Sequence, residues 1–364
     1  MPSLKMRIPT MRRSRPVVGS VVVAAAVAAV LVGGAVSRAG VEGRSGTIAF
    51  LRDSDTSTGL FTIKPNGSGL RRLTPSGSDI ASYHWSPDGS RIAYLDSRGA
   101  LWLVRPDGTG RQRLAARSPL RSPWFVAWSP DGKSVAVLAQ DPTARPTPPA
   151  NHGSLLHLRI TVIPSIGGAP RRLPTGDVGW LAWSPREDEI AYETKGEAWV
   201  IRSDGSDRHS LHIDNAWMTT WSPDGTHLGF GGCRRQGGRC VARYAGIYVA
   251  DADGSNLHQV TGHAYNEYGF AWSPDGRSIL YGRANRQGIY VIGADGHNNH
   301  RLTQDSPRPV ESLALAWSPD GHAIAYTTDR TGNGDIYLID ADGHNKIRLT
   351  HSAANDTAPS WQPQ

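Results

Sequence analysis

Trp-Ser-Pro-Asp-Gly occurs five times in the chain, at Trp85–Gly89, Trp128–Gly132, Trp221–Gly225, Trp272–Gly276 and Trp317–Gly321. A degenerate copy, Trp183-Ser184-Pro185-Arg186-Glu187, and a last tryptophan, Trp361, extend the series to seven, with gaps of 43, 55, 38, 51, 45 and 44 residues. A period of this size matches one four-stranded propeller blade, a unit too small to bury its own apolar face and stable only when stacked on copies of itself.

The unit Tyr83–Leu114 shows how each repeat folds. Tyr83-His84-Trp85 reads as a strand and Ser86-Pro87-Asp88-Gly89 as a tight turn, with Pro presetting φ and Gly taking the positive φ that reverses the chain. Arg91–Leu95 returns, Leu101–Val104 makes a third strand, Pro106–Gly110 turns again and Arg111–Leu114 is the outer strand, which completes a meander. The residue before each tryptophan is small (Ala127, Ala182, Thr220, Ala271, Ala316, Ser360) except at His84. Strand alternation turns it away from the indole, and we expect it to face the crowded axis while the tryptophan wedges between blades.

Outer strands ending in a Leu-Thr-like pair count to seven. The first unit, Thr47–Thr74, lacks a leading tryptophan strand, and Asp356–Gln362 is such a strand with nothing after it. The expected fold is therefore an all-β, seven-bladed propeller whose C-terminal strand closes the ring, removing two exposed edges. These motifs resemble the TolB-like propeller repeat, a WD40-like family found in the bacterial translocation protein TolB and in the propeller domains of prolyl-oligopeptidase-type peptidases. The resemblance covers residues 47–364. It implies the fold, not an activity: TolB sets an α/β domain before a six-bladed propeller, and the peptidases add a hydrolase domain, whereas residues 47–364 here are occupied by blade repeats.

The chain carries a net charge of +7, but Lys5, Arg7, Arg12, Arg13, Arg15, Arg38 and Arg44 against Glu42 place +6 of it in residues 1–46. The remainder is close to neutral, so a phosphate-tracking surface and a nucleic-acid partner are not expected. The leader has a basic stretch (1–16), an apolar run Val17–Val36 and a linker (37–46). Basic residues before an apolar core mark export, and the run reads either as a cleaved signal peptide, with Ser37-Arg38-Ala39 as its site, or as an N-terminal transmembrane helix anchoring the protein with its N-terminus inside. In both cases the propeller is expected outside the cytoplasm, as a monomer. In that compartment Cys233 and Cys240, the only cysteines, are expected to close a hairpin tip as a disulfide.

The Ser-Pro-Asp-Gly and Asp-Gly turns share one end of the blades and are nearly uniform, whereas length variation falls on the other end, in middle loops such as the Pro-rich Gln140–Ser154 and Gly231–Gly246. Insertions confined to one face of a repeat scaffold point to a contact surface. Six blades also bring a carboxylate to the entry of the first strand: Asp79, Asp177, Asp214, Glu267, Glu311 and Asp356, with Arg117 and Arg121 in the remaining blade. These six would ring the mouth of the central channel on the loop-variable face and attract a cation or a basic peptide, or else cap local backbone as the chain enters the strand. No zincin His pair, nucleophile elbow or phosphate-binding glycine loop is present, and the Asp251–Gly254 and Asp340–Gly343 segments read as hairpin turns rather than calcium loops. No metal or cofactor is expected. The leading reading is an extracytoplasmic, non-enzymatic binding scaffold of a bacterial cell envelope with a protein or peptide partner. The alternative is a polysaccharide lyase or hydrolase using paired carboxylates at the channel mouth, with His263 or His351 assisting.

Overall fold

The computed structural model describes residues 46–54, 56–114, 121–140, 158–233, 235–236, 239–240, 245–262, 267–283, 288–305 and 315–364. The expectations placed on the basic stretch and the apolar run fall outside these residues. Among the described residues no helix is long and apolar enough to cross a membrane.

Seven four-stranded antiparallel sheets succeed one another along the described chain. Blade 1 joins Ile48–Ser54, Ser57–Ile63 and Arg71–Arg72 to the last strand, Asn355–Trp361. Blade 2 runs from Ile80–Trp85 to Gln112–Arg113, blade 3 from Arg121–Trp128 to Arg171–Arg172, and blade 4 from Trp180–Trp183 to His209–Asp214. Blade 5 runs from Ala216–Trp221 to His258–Gln259, blade 6 from Glu267–Trp272 to His300–Thr303, and blade 7 from Leu315–Trp317 to Ile347–Arg348. The ring closes as the sequence implies: Ile48 lies opposite Trp361 and Arg52 opposite Asp356, and Gln362 N donates to Thr47 O at 2.8 Å. Outer strands are shorter than the sequence suggested, only two residues in most blades.

Each turn is built by its own side chains. Ser86 Oγ donates to Asp88 Oδ1 at 2.6 Å and accepts from Arg91 N at 2.9 Å, while Asp88 Oδ1 accepts from Ser90 N at 3.0 Å. The same set recurs at Ser222, Asp224 and His227 and at Ser273, Asp275 and Ser278. Burial opposes ionisation, but these donors hold Asp88, Asp131 and Asp224 below the ordinary carboxylate range. The motif is thus a turn-forming device. In the Asp-Gly turns, Asp253 Oδ1 accepts from Ser255 N at 2.9 Å and Asp342 Oδ1 from His344 N at 3.0 Å; the segments read from the sequence as hairpin turns are closed by Asx hydrogen bonds.

Seven apolar clusters fill the interior, each shared by two successive blades, and the one joining Ala316, Ala325 and Leu338 to Ile48, Phe50 and Trp361 completes the circle. Every repeat tryptophan packs on the preceding blade. Three donate their indole N–H to the residue before the previous tryptophan: Trp85 to Ser360 O, Trp128 to His84 O and Trp221 to Ala182 O, at 3.2, 3.1 and 3.1 Å. The small residue therefore does not face the axis as expected. Ala127, Ala182, Ala271 and Ala316 lie buried in the seam with the following blade, where a larger side chain would displace the next indole. In six blades an aromatic of the second strand also stands directly opposite an aromatic of the third, as in Tyr94 and Trp102, and Tyr192 and Trp199. Arg111 and Arg208 stack over those indoles at 3.7 and 4.0 Å.

Candidate functional site

The middle-loop end is assembled where each first strand begins. Most first strands carry a bulge before the tryptophan, shown by register breaks at Ile80/Ser82, Trp217/Thr220, Tyr268/Phe270 and Ala49/Leu51. The bulge takes positive φ at Met218, Gly269 and Ala358, each three residues before the tryptophan. It lets the strand turn into the axis while the tryptophan stays in its seam.

Five of the six sequence-selected carboxylates fall within the described backbone, all at this end, and their environments differ. Asp79 and Asp214 are exposed. Asp177 is half-buried and pairs with Arg159 at 2.8 Å. Asp356 is fully buried, accepting from Arg52 Nε at 2.6 Å and Nη2 at 2.8 Å. Glu267 opens blade 6 opposite Arg283, its side chain outside the described residues, and Glu311 lies wholly outside them, as does His263. His351 is exposed.

The structure brings Asp79 and Asp356 together around Asp53, which the sequence reading passed over. Burial raises the Asp53 carboxyl above its ordinary range; the Thr58 hydroxyl at 2.7 Å opposes this, and the charges of Asp79 and Asp356 add to it. Blades 1 and 2 thus supply three carboxylates and one guanidinium, a locally negative patch. Nothing in the repeat pattern flags Asp53, because it sits at the end of a second strand rather than before a first.

A second missed group is Glu193, 6% exposed, at the seam of blades 4 and 5. Its Oε1 accepts from Thr219 N and Thr219 Oγ1, both at 2.7 Å. Burial lifts its pKa to about 7 against those two donors. Opposite it in register stands Trp180, whose ring lies 4.8 Å from that of Phe125 in blade 3 and whose Nε1 donates to Thr219 O of blade 5 at 2.9 Å. One indole touching three successive blades fills part of the axis. Nearby Trp217 is 38% exposed and lies against Gly231, directly opposite it, where a Cβ would collide with the indole. Three residues of this segment, His212, Asn215 and Met218, hold positive φ, a concentration of strained backbone of the sort found at ligand sites.

Cys233 is buried, and no free cysteine stands among the described residues. Cys240 lies opposite Arg235 in a small two-stranded ladder; its side chain is outside the described residues. Among those residues no group of three or more His, Cys, Asp or Glu is placed to hold a metal ion.

No protein-family model matches the chain. A segment of 92 residues is 37% identical to dipeptidyl-peptidase 5 of Porphyromonas endodontalis, covering 24% of this chain and 13% of the peptidase, so the match spans only a small part of that relative. Among solved structures, TolB from Acinetobacter baumannii aligns with a TM-score of 0.55 at 18% identity over 88% of this chain and 67% of its own. An oligogalacturonate lyase in complex with manganese aligns with a TM-score of 0.67 at 16% identity over 80% of this chain and 85% of its own. At these identities the likeness is one of fold, that of a TolB-like β-propeller.

Proposed function

We propose that this TolB-like propeller is an extracytoplasmic, non-enzymatic binding scaffold of a bacterial cell envelope, engaging a protein or peptide partner on the middle-loop end through its carboxylates. The observation that carries the reading is the gathering of Asp53, Asp79 and Asp356 on two neighbouring blades at that end, with exposed Asp214 at the end of blade 4 and the exposed indole of Trp217 at the start of blade 5. Carboxylates beside an exposed aromatic offer a basic segment both long-range attraction and an apolar anchor. We further propose that Cys233 and Cys240 form a disulfide across the middle loop of blade 5, and that the leader directs export, either cleaved or kept as an anchor.

The enzyme reading rests on the fold shared with the oligogalacturonate lyase and on the near-neutral pKa of Glu193. It is the weaker one, because Glu193 Oε1 is already committed to both donors of Thr219. The test is Asp79→Lys/Asp214→Lys, a double reversal at exposed positions. Used as bait in a bacterial envelope extract, this variant is expected to keep its melting temperature and lose the proteins that the native chain retains. Retention of the same set by both baits, or turnover of polygalacturonate by the purified chain, overturns the proposal.

A further inference from the structure

The opposite end of the axis carries a cavity of about 810 Å³. Its wall includes Pro87, Pro130, Pro185, Pro223, Pro274 and Pro363, each two residues after the repeat tryptophan of its blade. Only a site on the axis can touch one equivalent residue from each of six blades, so this is the channel mouth on the Ser-Pro-Asp-Gly face. Its volume lies within the range of small-molecule sites.

Hydrogen-bond accounting separates the polar groups of this mouth into used and unused. The carboxylates of Asp88, Asp131, Asp224 and Asp275 line it, and each has Oδ1 committed to its own turn. Asp131 also pairs with Lys133 at 3.3 Å. The turn donors hold Asp88, Asp131 and Asp224 below the ordinary carboxylate range, so these three supply fixed negative charge. Arg91 and Arg186 line the same cavity and are exposed. Neither guanidinium has a hydrogen bond or ion pair, and the stem of Arg186 is laid over Gly225 of the next blade, whose missing Cβ makes room for it. His84 lines the wall as well, and its buried Nδ1 has no hydrogen-bond partner. Burial lowers its pKa to about 4, so the ring is neutral at physiological pH.

His84 is also the position where the repeat rule fails, since the corresponding residue in the other blades is Ala, Ser or Thr. His84 is half-buried, and a ring nitrogen held out of solvent without a partner carries a desolvation cost that the small residues avoid. The repeat offers no packing reason for it, because the neighbouring indole of Trp128 bonds the His84 backbone carbonyl rather than the ring.

We propose that this mouth is a second binding site, built for a short zwitterionic peptide of two or three residues. Arg91 and Arg186 would take its carboxylate, the ring of aspartates its ammonium, His84 one of its amide groups, and the proline wall its apolar side chains. Charges of both signs around one rim disfavour a ligand of a single sign, because each such ligand meets repulsion from the other set. The site lies at the far end of the axis from the envelope-partner surface proposed above and does not depend on it.

The experiment is titration calorimetry of the full-length protein with the dipeptide leucyl-alanine, its N-acetyl and C-amide derivatives, and maltotriose. Saturable binding of the free dipeptide is expected, weakened at least tenfold by either cap, with no binding of the uncharged sugar. Arg91→Ala/Arg186→Ala should abolish the penalty for amidation while leaving the penalty for acetylation. His84→Ala, which restores the residue type of the other blades, should keep the melting temperature and weaken the dipeptide at least fivefold. No saturable dipeptide binding, equal binding of capped and free forms, or preferential binding of maltotriose overturns the proposal.

Discussion

Glu193 shows what a single buried side chain can do to this fold. Its folded-state pKa, lifted by burial to about 7 from an ordinary 4.5, means that the native state holds a proton the unfolded chain releases. The sign follows directly: stability from this group is full below pH 4.5 and is lost as pH rises to about 7, the reverse of a carboxylate in an ion pair. A shift of this size corresponds to about 3 kcal/mol. Glu193→Gln keeps an oxygen for Thr219 N and Oγ1 and removes the charge, so it should flatten the decline in melting temperature between pH 5 and 8 and raise it at pH 8; chemical denaturation at several pH values checks this. The sequence could not single out Glu193, because a Glu at the end of a second strand looks the same whether its seam is open or closed. Asp356 shows the same limit. It was selected as a mouth residue, and its burial against Arg52 depends on a partner 304 positions away.

At the scale of the element, the Trp-Ser-Pro-Asp-Gly turn was the most legible part of the chain, because its chemistry is local. Ser222, wholly buried, bridges Asp224 and His227 N within one turn. Ser222→Ala should therefore leave His227 N short of a partner, since Asp224 Oδ1 keeps Thr226 N, and cost about 1–3 kcal/mol, read as a lower midpoint in urea unfolding with an unchanged m-value. Blade 4 is the internal control. Its degenerate copy lacks the aspartate, and Ser184 Oγ instead accepts from Arg186 N at 3.3 Å and Glu187 N at 3.2 Å; at these longer distances Ser184→Ala should cost less than Ser222→Ala. The paired aromatics of the second and third strands were equally visible as residues but not as pairs. Their opposition depends on the register across middle loops whose lengths differ from blade to blade, so a linear reading missed the Arg-capped stacks of Trp102 and Trp199. The small residue before each tryptophan was read correctly as a crowding signal and assigned to the wrong neighbour, since alternation fixes which side a residue faces but not which surface waits there.

Over the whole molecule, the blade count and the closure were legible because the first and last fragments are complementary, one lacking a tryptophan strand and the other consisting of one. The division between a uniform turn end and a variable middle-loop end follows from the meander alone. The chemistry at the two mouths was less so: at one end it depends on how Asp53, Asp79 and Asp356 converge, at the other on how a proline from each of six blades and the exceptional His84 enclose a cavity. Both readings presuppose that the last strand, Asn355–Trp361, is an integral part of blade 1, since that strand places Asp356 at one mouth and Pro363 at the other. Amide hydrogen exchange of the full-length protein measures this directly. Backbone amides of Asn355–Trp361 should be protected to the same extent as those of Ile48–Ser54 and should open together with them. Rapid exchange of the last strand while Ile48–Ser54 stays protected would contradict the closed ring and, with it, the composition of both mouths.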